Sequence, residues 1–135
     1  MTPLRILFAD DLAAFRMAAS EWLEADGHVI EVAQNGRDAA KLLSGKHFDL
    51  LITDIIMPDG DGIELIRNVR KTHPELKIVA ISAGSEHLGP DFYISMAKRF
   101  GADGVMLKPF EHRQLQDVIH GLFPAPGGAV GARTS

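Results

Sequence analysis

The sequence predicts a doubly wound α/β domain, a parallel sheet with helices on both faces. Three observations predict it. Short apolar runs alternate five times with segments of helical character. Several of those runs are apolar throughout rather than at every second residue, as strands covered on both faces are. The chain has 135 residues, 46% of them hydrophobic, enough for one domain with a real core.

Each element has its own signal. LRILFA (4–9) is the first strand, and a helix follows over about 12–25. HVIEVA (28–33) is the second strand, and Asn35-Gly36 opens a helix over 36–44. FDLLIT (48–53) is the third strand. Asp61-Gly62 precedes a helix over 62–72, which Thr72-His73-Pro74 ends because a residue before proline avoids the α region. KIVAIS (77–82) is the fourth strand. Gly89-Pro90-Asp91 starts a helix over 90–100 with proline at a favoured first position, and Gly101 stops it. GVMLK (104–108) and a helix over 111–122 complete the set. The domain spans 1–123. PAPGGAVGARTS (124–135) has no periodicity and is predicted to be disordered.

Composition narrows the function classes. There are no cysteines, so disulfides and thiolate metal sites are excluded. The formal net charge is −4 and no Lys/Arg cluster stands out, which argues against direct nucleic-acid binding. No apolar run is long enough to span a membrane. The start, MTPLRILFADD, is not a signal peptide, since acidic residues interrupt its short apolar segment. A cytoplasmic location is expected. The six histidines (28, 47, 73, 87, 112, 120) lack metal-ligand spacing and read as surface or structural residues, His112 as a solvated one.

Right-handed crossovers put every strand's C-terminal end on one sheet edge, where ligands bind in such folds. The strand ends deliver Asp10-Asp11, Asp54, Ser82-Ala83 and Lys108-Pro109. Neighbouring carboxylates repel unless a cation joins them, and an all-oxygen donor set suits Mg²⁺, with Mn²⁺ as a substitute. Lys108 is suited to pair with Asp54 in the empty site and with a phosphoryl oxygen in the filled one. Ser82 is suited to donate a hydrogen bond to another. The constellation reads as aspartyl-phosphate chemistry: a carboxylate nucleophile, a metal and fixed positive charge. Taken singly, each of these residues is an ordinary turn former. Their meeting on one edge is the signal.

These residues lie in FADD (8–11), TDIIMPDGDG (53–62), IVAISA (78–83), GADG (101–104) and LKPF (107–110). In that order and spacing, over about residues 4–122, the sequence resembles the receiver domain of two-component response regulators. The resemblance implies a CheY-like, flavodoxin-like sheet of strand order 2-1-3-4-5. It implies Asp54 as acceptor of phosphate from a phosphohistidine on a sensor kinase or phosphotransfer protein. It implies Asp11 as a direct Mg²⁺ ligand, joined by Asp54 and the Ile56 backbone carbonyl, with Asp10 acting indirectly. Ser82 and Ala83 stand at the switch position, Lys108 at the family's lysine, and the Lys108-Pro109 bond is expected to be cis. Met57-Pro58 and the Gly60/Gly62 turn are expected to aim the Ile56 carbonyl, glycine supplying unusual backbone angles. Such a protein accepts and hydrolyses its own phosphate but is not an enzyme with a turnover substrate. A stand-alone monomer or weak dimer, signalling by protein contacts or onward relay, is expected.

Two features depart from the family. It usually places an aromatic three residues before the lysine, where this chain has Val105, with Phe110 or Tyr93 as candidate substitutes. The fourth strand–helix loop is longer than usual around Gly84 to Pro90. In the first helix Phe15, Ala19, Trp22 and Leu23 are predicted to face the sheet. Leu12, Ala14 and Ala18 then remain for a partner helix, although alanine is also an ordinary surface helix former. Three other readings compete. A receiver-like adaptor needs no phosphate. A haloacid-dehalogenase-type hydrolase needs an acid where Ile56 stands. A flavodoxin-like carrier has to place a flavin phosphate in an acidic crevice.

Overall fold

The computed structural model describes residues 3–57, 62–83 and 88–124. The expectations for Pro58, Gly60, the loop at 84–87 and the tail beyond 124 lie outside the described residues. The elements are β1 (Arg5–Ala9), α1 (Ala13–Ala25), β2 (Val29–Ala33), α2 (Gly36–Gly45), β3 (Leu50–Asp54), α3 (Gly62–Thr72), β4 (Lys77–Ser82), α4 (Pro90–Phe100), β5 (Gly104–Leu107) and α5 (His112–Leu122). The strands are all parallel in the order β2-β1-β3-β4-β5. β3 begins later than FDLLIT suggests, at Leu50. Phe48 is buried, but the Asp49 carboxylate takes the Arg5 N–H at 2.8 Å and closes the edge of the ladder.

The unbroken apolar runs have a direct cause. Successive side chains of a strand point to opposite faces. Leu7, Leu51, Ile78 and Ala80 enter one core with residues of α2, α3 and α4. Ile6, Phe8, Leu50, Ile52, Val79 and Ile81 enter a second core with residues of α1 and α5. Both faces of β3 are covered, and all five of its residues are buried. Among the described residues β2 has one strand neighbour, β1, and its Val29 and Val32 are exposed. In α1, Ala19 and Leu23 are buried and Phe15 and Trp22 pack partly buried on the second core, the face expected from the sequence.

Polar groups tie the N-terminal sheet edge. Arg70, near the end of α3, donates to the Gly101 carbonyl (3.1 and 2.7 Å), to Pro74 and Leu76 carbonyls (both 2.8 Å) and to Asp103 Oδ2 (2.7 Å). Asp103 Oδ2 also accepts the Ile78 N–H at 2.9 Å. One guanidinium fork thus joins α3, the start of β4 and the turn into β5. Gly101 is required at that turn. Its φ is +121°, and a Cβ there would stand 2.9 Å from Arg70 Cγ. His28 is buried beside β1, where its Nδ1 accepts the Leu4 N–H at 3.0 Å.

Two outcomes follow. Arg70→Ala leaves several carbonyls without their donor and lowers unfolding free energy by roughly 2 kcal/mol in a urea titration. An unchanged midpoint contradicts the clamp. Burial pushes the His28 pKa below 6.5, with Asp26 opposing and His120 assisting. The folded state therefore binds this proton less tightly than the unfolded chain. The stability from neutral His28 is complete above about pH 6.5 and is lost as pH falls through and below that value. His28→Gln keeps an acceptor and flattens this part of the pH–stability curve. A curve of the same slope as the wild type contradicts the assignment.

Candidate functional site

Parallel strands carry the chemistry to one edge. Asp10 follows β1, Asp54 ends β3, Ser82 ends β4 and Lys108 follows β5. Pairing of Asp54 with Ile81, and of Ser82 with Leu107, sets their relative heights. Asp10, Asp54 and Ser82 are buried, and Asp11 is exposed. Carboxylate oxygens of Asp10, Asp11 and Asp54 all lie within 4.8 Å of one another.

The Lys108 ammonium sits between two of them. Its Nζ is 2.8 Å from Asp54 Oδ2 and 2.9 Å from Asp10 Oδ2, with 8% of the lysine side chain exposed. The contact to Asp54 is a directed hydrogen bond. The contact to Asp10 is an ion pair at a carboxylate that is wholly buried. Asp10 Oδ1 accepts the Leu12 N–H at 2.9 Å, which turns the chain into α1, and Arg16 Nη1 donates to the Asp10 carbonyl at 2.7 Å. The Lys108 N–H donates to the Ser82 carbonyl at 2.9 Å, joining the ends of β4 and β5. The Lys108-Pro109 bond is cis.

Burial is the largest influence on Asp54 and raises its pKa above 3.8. The Lys108 hydrogen bond and charge oppose this, Asp10 reinforces it, and the net direction is upward. Burial works against the Lys108 charge as well, but Asp54 and Asp10 outweigh it and lift its pKa above 10.5. Three carboxylates face one ammonium, so the crevice retains negative charge for a cation to satisfy. The all-oxygen donor set of Asp10, Asp11 and Asp54 fits a hard divalent ion.

Gly62 has a steric reason rather than the conformational one expected. Its φ is not in the left-handed region. A Cβ there would lie 2.1 Å from the Asp54 carbonyl oxygen and 2.6 Å from Ile55 Cα. The start of α3 therefore lies directly on the backbone that carries Asp54. Thr53 Oγ1 donates to that same carbonyl at 2.9 Å. Ile56 is 42% exposed beside the site, and its N–H approaches Asp54 Oδ1 at 3.4 Å.

Several placements correct or extend the sequence reading. Val105 is half-buried against the core beneath α2, α3 and α4, where Tyr93 also packs. Phe110 is buried in the opposite core against Phe15 and Trp22, so it does not substitute at the Val105 position. Ala83 is exposed just beyond Ser82. His112 is not freely solvated. It pairs with Asp26 at 2.9 Å and stacks on Trp22 at 5.5 Å with 6° between the rings. The sequence reading missed Phe15 at the site, where its ring centroid is 4.5 Å from Lys108 Nζ. Its spacing of four from Asp11 on the chain entering α1 was the available signal.

A doubly wound parallel sheet with an acidic crevice and a lysine at its C-terminal edge is the arrangement of a receiver-type signalling module. The chain belongs to the response regulator receiver domain family, whose model matches residues 6–120. Response regulator MprA of Mycolicibacterium vanbaalenii is 33% identical over 118 residues, covering 84% of this chain and 47% of MprA. Sensor kinase CckA of Brucella abortus is 30% identical over 119 residues, covering 84% of this chain and 12% of the kinase. The chain thus spans less than half the length of these curated relatives. The solved structure of chemotaxis response regulator CheY4 of Vibrio cholerae has a TM-score of 0.81 at 27% identity, covering 90% of this chain and all of that one. That of TrrA of Thermotoga maritima, in complex with Mg²⁺-BeF, has a TM-score of 0.77 at 30% identity, covering 88% and 98%. Among the described residues no helix is long and apolar enough to cross a membrane.

The raised Asp54 pKa has a measurable sign. The folded state holds this proton more tightly than the unfolded chain, so ionising Asp54 costs stability. The cost is complete above the folded pKa and disappears below 3.8. Without divalent cations, Asp54→Asn therefore raises the thermal midpoint at pH 7 by roughly 2–5 °C. The gain shrinks as pH approaches 3.8. A gain that grows on acidification refutes the assignment.

Proposed function

We propose that the protein is a phosphoacceptor response regulator that takes phosphate onto Asp54 from a phosphohistidine of a sensor kinase or phosphotransfer protein. One observation carries this reading: the Lys108 ammonium joins two buried carboxylates at the same strand edge as a third. In the reaction an Asp54 carboxylate oxygen forms a bond to phosphorus as the bond from phosphorus to the donor imidazole nitrogen breaks. The products are an aspartyl phosphate and a histidine. Oδ2 is held by Lys108, and among the described residues Oδ1 has only the long contact to the Ile56 N–H, so Oδ1 is the freer nucleophile.

Asp11, Asp54 and the Ile56 carbonyl are the groups that would hold Mg²⁺, or Mn²⁺ in its place, with Asp10 acting indirectly. When bound, the ion supplies charge neutralisation for the incoming phosphoryl group. Lys108 adds fixed positive charge that shifts from Asp54 to a phosphoryl oxygen. Ser82, at the end of β4, offers a hydroxyl to a further oxygen. Thr53 and the close approach of Gly62 hold the Asp54 backbone still while this happens. With Val105 where an aromatic is usual, the output signal passes by another route than a ring at that position. The protein is a cytoplasmic signalling element and not an enzyme with a turnover substrate.

Intact-mass measurement after incubation with Mg²⁺ and a small acyl phosphate tests the proposal. The wild type gains one phosphoryl group, Asp54→Ala gains none, and a chelator abolishes the gain. Modification of Asp54→Ala to the same extent as wild type, or an unmodified wild type both here and with a phosphorylated donor domain, overturns it.

A further inference from the structure

We propose that Phe15 is a positioning residue for phosphoryl transfer, an aromatic wall that keeps the Lys108 ammonium inside the acidic crevice. This rests on the phosphoacceptor reading of Asp54. The ammonium has carboxylates on one side and the Phe15 ring on another, with 4.5 Å from Nζ to the ring centroid. Little water reaches it, since the lysine side chain is 8% exposed. The electron-rich face of a ring attracts a cation most strongly where water is excluded. An aliphatic side chain of similar size fills the space without that attraction.

The ring is itself braced. Phe15 lies 5.7 Å from Phe110, Phe110 lies 6.2 Å from Trp22, and Trp22 stacks on His112 at 5.5 Å. Asp26 closes the line by accepting from Gln116 and pairing with His112, both at 2.9 Å. Phe15 is thus the inner end of an aromatic seam between α1 and α5, and the wall does not yield when Lys108 presses on it. The attraction of a ring face is less directional than a hydrogen bond. It lets Nζ slide from a carboxylate oxygen to a phosphoryl oxygen while keeping it from swinging out to solvent.

The test compares Phe15→Leu, which keeps apolar bulk, with Phe15→Tyr, which keeps the ring face. Two quantities are read: the rate of phosphorylation by a small acyl phosphate with Mg²⁺, and the proton shift of the Lys108 Hε atoms without metal. In wild type the ring displaces the Hε resonances upfield. Phe15→Leu loses that displacement and slows phosphorylation about threefold to tenfold. Phe15→Tyr restores most of both. A wild-type rate in Phe15→Leu, equal slowing in the Leu and Tyr variants, or Hε shifts that ignore the substitution overturns the proposal. Phe15→Met replaces Phe15→Leu if the latter does not fold, with the same expectations. If the wild type takes no phosphoryl group either from the acyl phosphate or from a phosphorylated donor domain, the phosphoacceptor reading fails instead. The Hε shifts then decide the placement alone: displaced in wild type and Phe15→Tyr supports it, undisplaced overturns it.

Discussion

The rest of the structure is arranged around an ammonium held between two buried carboxylates. Asp10 and Asp54 are taken out of water by the same burial that stabilises the sheet, and Lys108 joins them at 2.9 and 2.8 Å. Burying charges costs several kcal/mol apiece unless they are well paired. Here the pairing is incomplete, because one ammonium serves both carboxylates and Asp11 stands alongside. That deficit makes the edge receptive to cations. The fold supplies the geometry through four parallel strands whose tips end at matching heights.

Stability and chemistry are divided between the two sheet edges. The N-terminal edge holds the Arg70 fork, the Asp103 carboxylate and buried His28, each bonded to backbone groups, with Arg70 and Asp103 also paired to one another. The C-terminal edge holds the charges that remain underpaired. Between them lie two apolar layers, one against α2, α3 and α4, the other against α1 and α5. Gly62 shows how closely the scheme is drawn at the chemical edge. The first residue of α3 rests on the Asp54 and Ile55 backbone with no room for a methyl group.

Much of this was legible because its signals are local. Unbroken apolar runs marked strands buried on both faces, and crossover handedness sent Asp10, Asp11, Asp54, Ser82 and Lys108 to one edge. What was not legible depends on side chains meeting across long sequence separations. The Trp22–His112 stack and the Asp26–His112 pair join residues about ninety positions apart, and nothing near His112 in the sequence announces them. The side of the sheet taken by Phe110 is decided by how the chain turns after Lys108, which residue type alone does not specify. Arg70 looked like any basic residue late in a helix, since its partners are mostly carbonyls and carbonyls leave no mark on sequence. Phe15 matched its expected face, yet its contact with Lys108 depends on α1 starting within a turn of the acidic pair.

The seam between α1 and α5 also has an optical consequence. Trp22 is the chain's one tryptophan, and it is sandwiched in a line whose inner end touches Lys108 and whose outer end is a histidine. The protein therefore carries one dominant intrinsic fluorophore, placed where two helices meet rather than at a remote surface. Its emission reports the packing of that seam, and its quenching reports the imidazole stacked on it. The molecule comes with a built-in gauge of the helix pair that flanks its chemistry, and no label has to be introduced to read it.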